Sequence, residues 1–213
     1  MAVDVKICGL TDRPGLDAAI RHGARMVGFN FFPASPRFVS MDAVAALAAE
    51  VPQEIERVGV TVDMDNETLE AAIRSARLST VQLHGHEDPS RAAEIRERFA
   101  IKVLKVVRVS EASDLEAVAA FEPVADLLMF DTKPPKDATR PGGNAIAFDW
   151  RLLAGFATKR PWLLSGGLEA DNVRQAAEIS GASAVDVASG VESVPGSKDP
   201  EKIREFMAVC SGL

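Results

Sequence analysis

A chain of 213 residues has the length of one large domain and can bury a substantial core. Its 47% hydrophobic and 26% charged residues are those of a folded globular protein, and a formal charge of −7 argues against nucleic acid or an anionic membrane as the main partner. Cys8 and Cys210 lie at opposite ends of the chain, two thiols in a chain this size do not make a disulfide framework, and MAVDVKICGL reads as neither a signal peptide nor a membrane span, so a reducing cytoplasm is expected.

Short apolar runs alternate with amphipathic segments along the chain. The runs are VKICG (5–9), RMVGFNFF (25–32), RVGVTVD (57–63), TVQLHG (80–85), KVLKVVRV (102–109), DLLMFD (126–131), PWLLSGG (161–167) and AVDVASG (184–190). Dense in Val, Ile and Leu, they read as strands buried on both faces of a parallel sheet. Between them, Val44, Leu47, Ala48 and Val51 recur at helical spacing, as do Leu69, Ala72, Ile73 and Ala76, and finally Ile203, Phe206, Met207 and Cys210. Helix starts are expected at Asp42, Asn66, Asp171-Asn172 and Asp199-Pro200. Eight strand–helix units over residues 1–213, with no linker between them, predict a single-domain (β/α)₈ barrel of the α/β class. A doubly wound open sheet competes, but it would more often place one glycine-rich turn after the first strand. Here the glycines gather late, at Gly166-Gly167 and Gly190. The long Pro- and Gly-rich stretch 133–147 after the sixth strand reads as a lid on the barrel's C-terminal face.

On such a barrel the chemistry sits at strand ends, which here carry Cys8, Asn30, Asp63, His84, Asp131, Ser165-Gly166-Gly167 and Ser189-Gly190. Glycines after strands seven and eight are where sugar-phosphate barrels hold a phosphate, because a missing Cβ lets backbone N–H groups approach the anion; plain strand-to-helix turns are the other reading. A thiol at Cys8 can be a general base as thiolate, or simply a small buried hydrophobe, which is the reading given to Cys210. Asp131, delivered by an apolar strand, can be a buried acid or a cap for the following loop. Lys6 shares the parity of Cys8, and Asp186 lies on the eighth strand, next to the first in a closed barrel. A Lys6–Asp186 ion pair inside the barrel is therefore expected.

Taken together, KICGLT (6–11), GFNFFPASPRFVS (28–40), VQLHG (81–85), DTK (131–133), FDW (148–150), SGGL (165–168), DVASGVES (186–193) and PGSKDPEKI (195–203) resemble the phosphoribosylanthranilate isomerases, in family order and over almost the whole chain. The resemblance implies an Amadori rearrangement of an aminoaldose phosphate in tryptophan biosynthesis. It implies Asp131 as general acid on the ring oxygen and Cys8 as general base on the sugar's second carbon. Arg37 would hold the anthranilate carboxylate or the developing charge; Gln82, His84 and Asp186 would line the pocket; Gly166, Gly167, Ser189 and Gly190 would take the phosphate. His86, beyond the strand end, is expected at the surface. No metal and no organic cofactor are implied, since the substrate's nitrogen is the electron sink. The implied partner is a small phosphorylated substrate, not nucleic acid or membrane, with the chain a monomer or homodimer. Other sugar-phosphate isomerases and epimerases would favour paired carboxylates or a metal over a Cys/Asp pair, and a non-catalytic phosphate-binding barrel would not need both residues. Two segments depart from the pattern: Gly142-Gly143-Asn144-Ala145-Ile146-Ala147 replaces a Gly-Gly-(Ser/Thr)-Gly run, which touches the lid, and VTVD ends the third strand in place of Val-Phe-Val-Asn. Free thiol and carboxyl groups have pKa values of about 8.5 and about 3.9, the wrong order for base and acid to be ready together. The fold is therefore expected to raise Asp131, lower Cys8 through a cation such as Lys6, or run on a minor population.

Overall fold

A computed structural model describes residues 3–133 and 148–213. Eight parallel strands close in chain order into a barrel: β1 (Asp4–Cys8), β2 (Met26–Asn30), β3 (Glu56–Thr61), β4 (Thr80–Leu83), β5 (Lys102–Val109), β6 (Leu127–Thr132), β7 (Trp162–Leu164) and β8 (Ala184–Val187). The closed barrel, not the open sheet, is the architecture. Its seam is the β1–β8 pairing, in which Lys6 stands directly opposite Asp186.

Alternating residues divide each strand between two environments. One set (Ile7, Val27, Phe29, Val81, Leu83, Val103, Leu128, Phe130, Leu164, Val185) packs outward in the large core beneath the helices. The inward set contains a small apolar cluster of Leu104, Val106, Met129 and Leu163, joined by Met26, Leu127 and Ala184. Polar inward residues occupy the rest of the barrel's interior toward its C-terminal mouth, and that division positions the site.

The helices are α1 (Arg13–Arg21), α2 (Met41–Ala49), α3 (Asn66–Ala76), α4 (Pro89–Phe99), α5 (Val118–Phe121), α6 (Val173–Ser180) and α7 (Pro200–Ser211). The stripes expected on the second, third and last helices are buried, with Ile73 only partly so. Helix α3 starts at Asn66 and α7 at Pro200 as expected, and α2 starts at Met41, one residue before Asp42, while the capping side chains of α2 and α3 lie earlier. Ser40, not Asp42, caps α2 through Ala43 N, and Asp65, one residue before Asn66, caps α3 through Thr68 N at 2.8 Å. The cap must keep an extended backbone while its oxygen reaches forward, which puts it one or two residues earlier. Asn172 stands at the start of α6 but spends its amide on the preceding loop, and Asp199 caps α7 with Pro200 in its first turn as expected.

Eight full helices are not seen among the described residues. The fifth cover is mostly a 3₁₀ segment, Ala112–Ala117, and after β6 the described cover is another, Trp150–Leu153. After β8 the chain makes a short 3₁₀ turn (Ser189–Val191) and a small hairpin, β9 (Glu192–Val194) with β10 (Ser197–Lys198), before α7. That hairpin was not expected. The lid assigned to 133–147 lies, apart from Lys133, outside the described residues. None of the described helices is long and apolar enough to cross a membrane.

One buried carboxylate ties the loops after β3 and β4 to β5. Glu87 accepts from the backbone N–H groups of Asp63 and Gly85, each at 2.9 Å, and from Lys105 Nζ at 3.0 Å. Lys105 points outward from β5 and also stacks over Phe121. Glu87→Gln would leave a buried ammonium without its counter-ion, and urea unfolding should show a loss of about 3–5 kcal/mol. An unchanged midpoint would mean that these loops hold themselves.

Candidate active site

Strand β1 buries Val5 and Ile7 outward and so turns Lys6 and Cys8 into the barrel. Lys6 is fully buried and its Nζ donates to Asp186 Oδ1 at 2.6 Å, while Ser165 Oγ donates to Asp186 Oδ2 at 3.0 Å. The expected ion pair is present. Burial alone would lower the Lys6 pKa, but Asp186 and the Cys8 sulfur favour its charge and hold it above its ordinary value. Cys8 behaves differently from the expectation of a lowered thiol. Burial pushes it up and dominates, Lys6 and Lys198 pull it down, and the Asp186 carboxylate adds to the upward push. Gly28 on β2 makes room for it, since a Cβ there would lie 3.0 Å from Cys8 Sγ. Cys210, buried under α7, is pushed up by burial to about 12, as suits an inert core thiol.

Asp131 ends the described part of the sixth strand's inward row, after Leu127 and Met129. In the closed order β1 to β8 it stands across the mouth from Cys8, three strands away by the shorter path. Its Oδ1 accepts from Thr132 N at 2.8 Å, and His84 Nε2 lies 3.4 Å from Oδ2. Gln82 Nε2 is 3.3 Å from His84 Nδ1, and the Arg108 guanidinium holds the His84 carbonyl. Gln82 Oε1 and His84 Nε2 are buried without a hydrogen-bond partner among the described residues. Buried polar atoms are nearly always satisfied, so Gln82 Oε1 and His84 Nε2, the latter beside the Asp131 carboxylate, are suited to hydrogen-bond a polar ligand at the mouth. Two other strand-end residues have local tasks instead. Asn30 Oδ1 accepts from Phe32 N, and Asp63 pairs with His86, whose side chain is 84% exposed as expected of a surface histidine.

Arg37 is a buried residue of the loop after β2, not a solvated charge. Its Nε and Nη2 donate to the two oxygens of Glu192 at 2.7 and 2.8 Å, and its stem crosses Gly9, where a Cβ would sit 2.6 Å from Arg37 Cδ. Gly9, at φ +74°, has the backbone that makes this crossing possible. Lys198 Nζ shares Glu192 Oε1 at 2.6 Å and also donates to Ala188 O. Burial pushes Glu192 up, but Arg37 and Lys198 outweigh it and hold the carboxyl below its ordinary range. Burial also dominates at Lys198, which lies below its ordinary value although Glu192 and Cys8 favour its charge. Neither Glu192 nor Lys198 was singled out from sequence. The available signal was two charges inside glycine-rich turns, SGVES and PGSKD, where solvated side chains would serve equally well.

The two glycine turns touch. Gly166 and Gly167 are consecutive left-handed residues at φ +91° and +64°, and a Cβ on Gly166 would meet Thr132 Oγ1 at 2.3 Å and Asp131 Oδ1 at 3.1 Å. Gly190 lies against the Leu168 carbonyl, where a Cβ would be 2.0 Å from the oxygen. Its smallness therefore lets the loops after β7 and β8 pack backbone to backbone, beside Ser189. Among the described residues no three His, Cys, Asp or Glu side chains are grouped so as to hold a metal ion. Gly190→Ala must push these two loops apart. If a phosphate bridges them, the specificity constant should fall on the order of 100-fold, mostly through KM, while Cys8 alkylation stays as in the wild type. Unchanged kinetics would detach the glycine pair from ligand binding.

A family model for N-(5'phosphoribosyl)anthranilate (PRA) isomerase matches residues 5–209. The N-(5'-phosphoribosyl)anthranilate isomerase of Paracoccus denitrificans is 52% identical over 208 residues, covering 98% of this chain and 97% of that one. The crystal structure of the Thermotoga maritima phosphoribosyl anthranilate isomerase superposes with a TM-score of 0.89 at 37% identity, covering 99% of this chain and all of that one. A further phosphoribosyl anthranilate isomerase structure, in complex with reduced 1-(o-carboxyphenylamino)-1-deoxyribulose 5-phosphate, gives 0.85 at 35% identity with the same coverage. The chain belongs to the N-(5'-phosphoribosyl)anthranilate isomerase family.

Proposed function

We propose that the chain isomerises N-(5'-phosphoribosyl)anthranilate to 1-(2-carboxyphenylamino)-1-deoxyribulose 5-phosphate, with Asp131 as general acid and Cys8 as general base. The observation that carries the assignment is the inward row of polar groups. Cys8 and Asp131 face one mouth from opposite sides, with Gln82 and His84 presented by the C-terminal end of β4. Asp131 gives its proton to the furanose ring oxygen. The bond from that oxygen to the first carbon breaks as the nitrogen lone pair forms an iminium. The Cys8 thiolate takes the proton from the second carbon, and the electron pair left behind flows to nitrogen and gives the enolamine. Transfer of the enol proton to the first carbon yields the ketone. The thiol's proton then returns, through solvent, to the Asp131 carboxylate, so the cycle closes without an oxidant.

The same reading gives Arg37 the anthranilate carboxylate and Gln82 and His84 the sugar's polar groups. Asp186 lines the pocket floor as the counter-ion of Lys6. Gly166, Gly167, Ser189 and Gly190 take the phosphate, supported by the contact of the two loops and the consecutive left-handed glycines. No metal or organic cofactor enters this scheme. The chain 1–213 acts as one domain, monomer or homodimer, on a small phosphorylated substrate in the cytoplasm.

Cys8→Ala should lower kcat by several orders of magnitude and leave thermal unfolding near wild type, since no second thiol reaches the mouth. Asp131→Asn should lower kcat strongly with KM roughly kept, as expected when a transferable proton is lost but the shape remains. Progress curves of anthranilate-type fluorescence read both. Substantial turnover in either variant would remove that residue from the mechanism.

The pH dependence follows from the direction at Cys8. Because its thiol lies above the ordinary value, the base is a minor thiolate population at neutral pH, and that population grows tenfold per pH unit. The Asp131 proton requirement opposes this rise in the wild type, so the thiolate limb should be read in the residual activity of Asp131→Asn, where with chemistry rate-limiting kcat/KM should rise with pH. Lys6→Met removes the cation that opposes burial and should move the rising limb to still higher pH. Residual Asp131→Asn activity that does not rise with pH would contradict thiolate catalysis.

A further inference from the structure

Glu192 opens β9 as a buried carboxylate, and the chemistry above gives it no task. Its contacts are specific. Oε1 accepts from Arg37 Nε and Lys198 Nζ, Oε2 accepts from Arg37 Nη2, and Lys202 Nζ holds its backbone carbonyl at 2.8 Å. The Arg37 side chain's hydrogen bonds among the described residues all run to this carboxylate. A guanidinium carries five N–H donors in one plane, and this fork uses the Nε–Nη2 edge. The Nη1–Nη2 edge is left for a second carboxylate. Formal charge points the same way. Arg37 and Lys198 bring two positive charges to one carboxylate, so the buried cluster carries one positive charge over, beside Cys8. A buried net charge is costly until an anion compensates it.

We propose that Glu192 is a positioning residue that fixes the Nε–Nη2 edge of Arg37 so that the opposite edge binds the ring carboxylate of the substrate, and that it thereby makes the site selective for an ortho-carboxylated aryl amine. The proposal rests on Arg37 as the carboxylate's partner. Arg37 has three flexible methylenes across Gly9, and without the fork its guanidinium could take several rotamers. A carboxylate ligand would then have to order it at the moment of binding.

The test compares two competitive inhibitors: the reduced product and the same compound lacking the ring carboxylate. The wild type should prefer the carboxylated one. Glu192→Gln should cut that preference about ten-fold, entirely by weakening the carboxylated ligand, with the other Ki within about two-fold and the pH limb of Cys8 in place. If both Ki values rise together, or the preference is untouched, Glu192 is a structural residue only and the proposal falls. Should Glu192→Gln fail to fold, Glu192→Asp keeps the buried charge and draws the fork back by one methylene, and the same ratio is read. The wild type gives a third measurement. The Arg37 Nε–H signal should stay protected in ¹⁵N spectra when the carboxylated ligand binds, and its loss would overturn the fork. A wild type without preference would defeat the Arg37 reading itself. Loss of the preference in Arg37→Gln but not in Glu192→Gln would defeat this proposal alone.

Discussion

The Lys6–Asp186 pair joins the last strand to the first, and both the barrel and its chemistry depend on it. The two residues are register partners across the seam, so closing the sheet is what brings the charges together. Neither charge could be buried alone at a cost of less than several kcal/mol. Ser165, directly after β7, completes Asp186, so the polar grouping draws on three consecutive strands and their ends. An apolar pair of the same volume would have closed the seam with less desolvation. The pair instead places a cation next to the Cys8 sulfur and an anion behind it. Burial of the thiol outweighs that cation, so this arrangement leaves the base largely protonated, with a neighbour that favours its thiolate form.

Strand parity carries the rest. Outward residues of the eight strands are almost wholly apolar and bind the helices, whereas inward residues become polar toward the C-terminal mouth above the cluster of Leu104, Val106, Met129 and Leu163. The two layers answer to different demands. The outer layer supplies burial, roughly 25 cal/mol per Å² of apolar surface, and tolerates hydrophobic exchange of similar volume. The inner layer is buried as well but carries more polar groups, with Gln82 Oε1 and His84 Nε2 left for a ligand.

The loops are held by buried carboxylates as much as by apolar packing. Glu87 gathers the turns after β3 and β4 onto Lys105, and Glu192 gathers the loop after β2 and the hairpin after β8 onto Arg37 and Lys198. Both satisfy several donors with one carboxylate, which makes a buried charge tolerable in irregular backbone. The glycines at 9, 166 and 190 act on the same loops by subtraction, each leaving space that another residue's atoms fill.

Much of this was written in the sequence. Dense Val and Ile runs at regular intervals mark buried parallel strands, and parity within each run turns Lys6, Cys8, Gln82 and Asp131 to one side. The family pattern in KICG, SPR, QLHG and SGVES covers nearly the whole chain and names the chemistry. These features are local, because a period of two and a motif of four residues need no knowledge of distant contacts. What only the tertiary structure decided is long-range. Arg37 meets Glu192 across 155 residues, and no spacing rule distinguishes that buried fork from two solvated charges. The hairpin of β9 and β10, strands of three and two residues too short to be strongly encoded, pairs Lys198 with Glu192. Cys8 has its direction of titration set by a balance of desolvation against two cations, one of which arrives from 190 residues away. Sequence sets which groups are present and which way they face; their energies come from neighbours that only the closed barrel supplies.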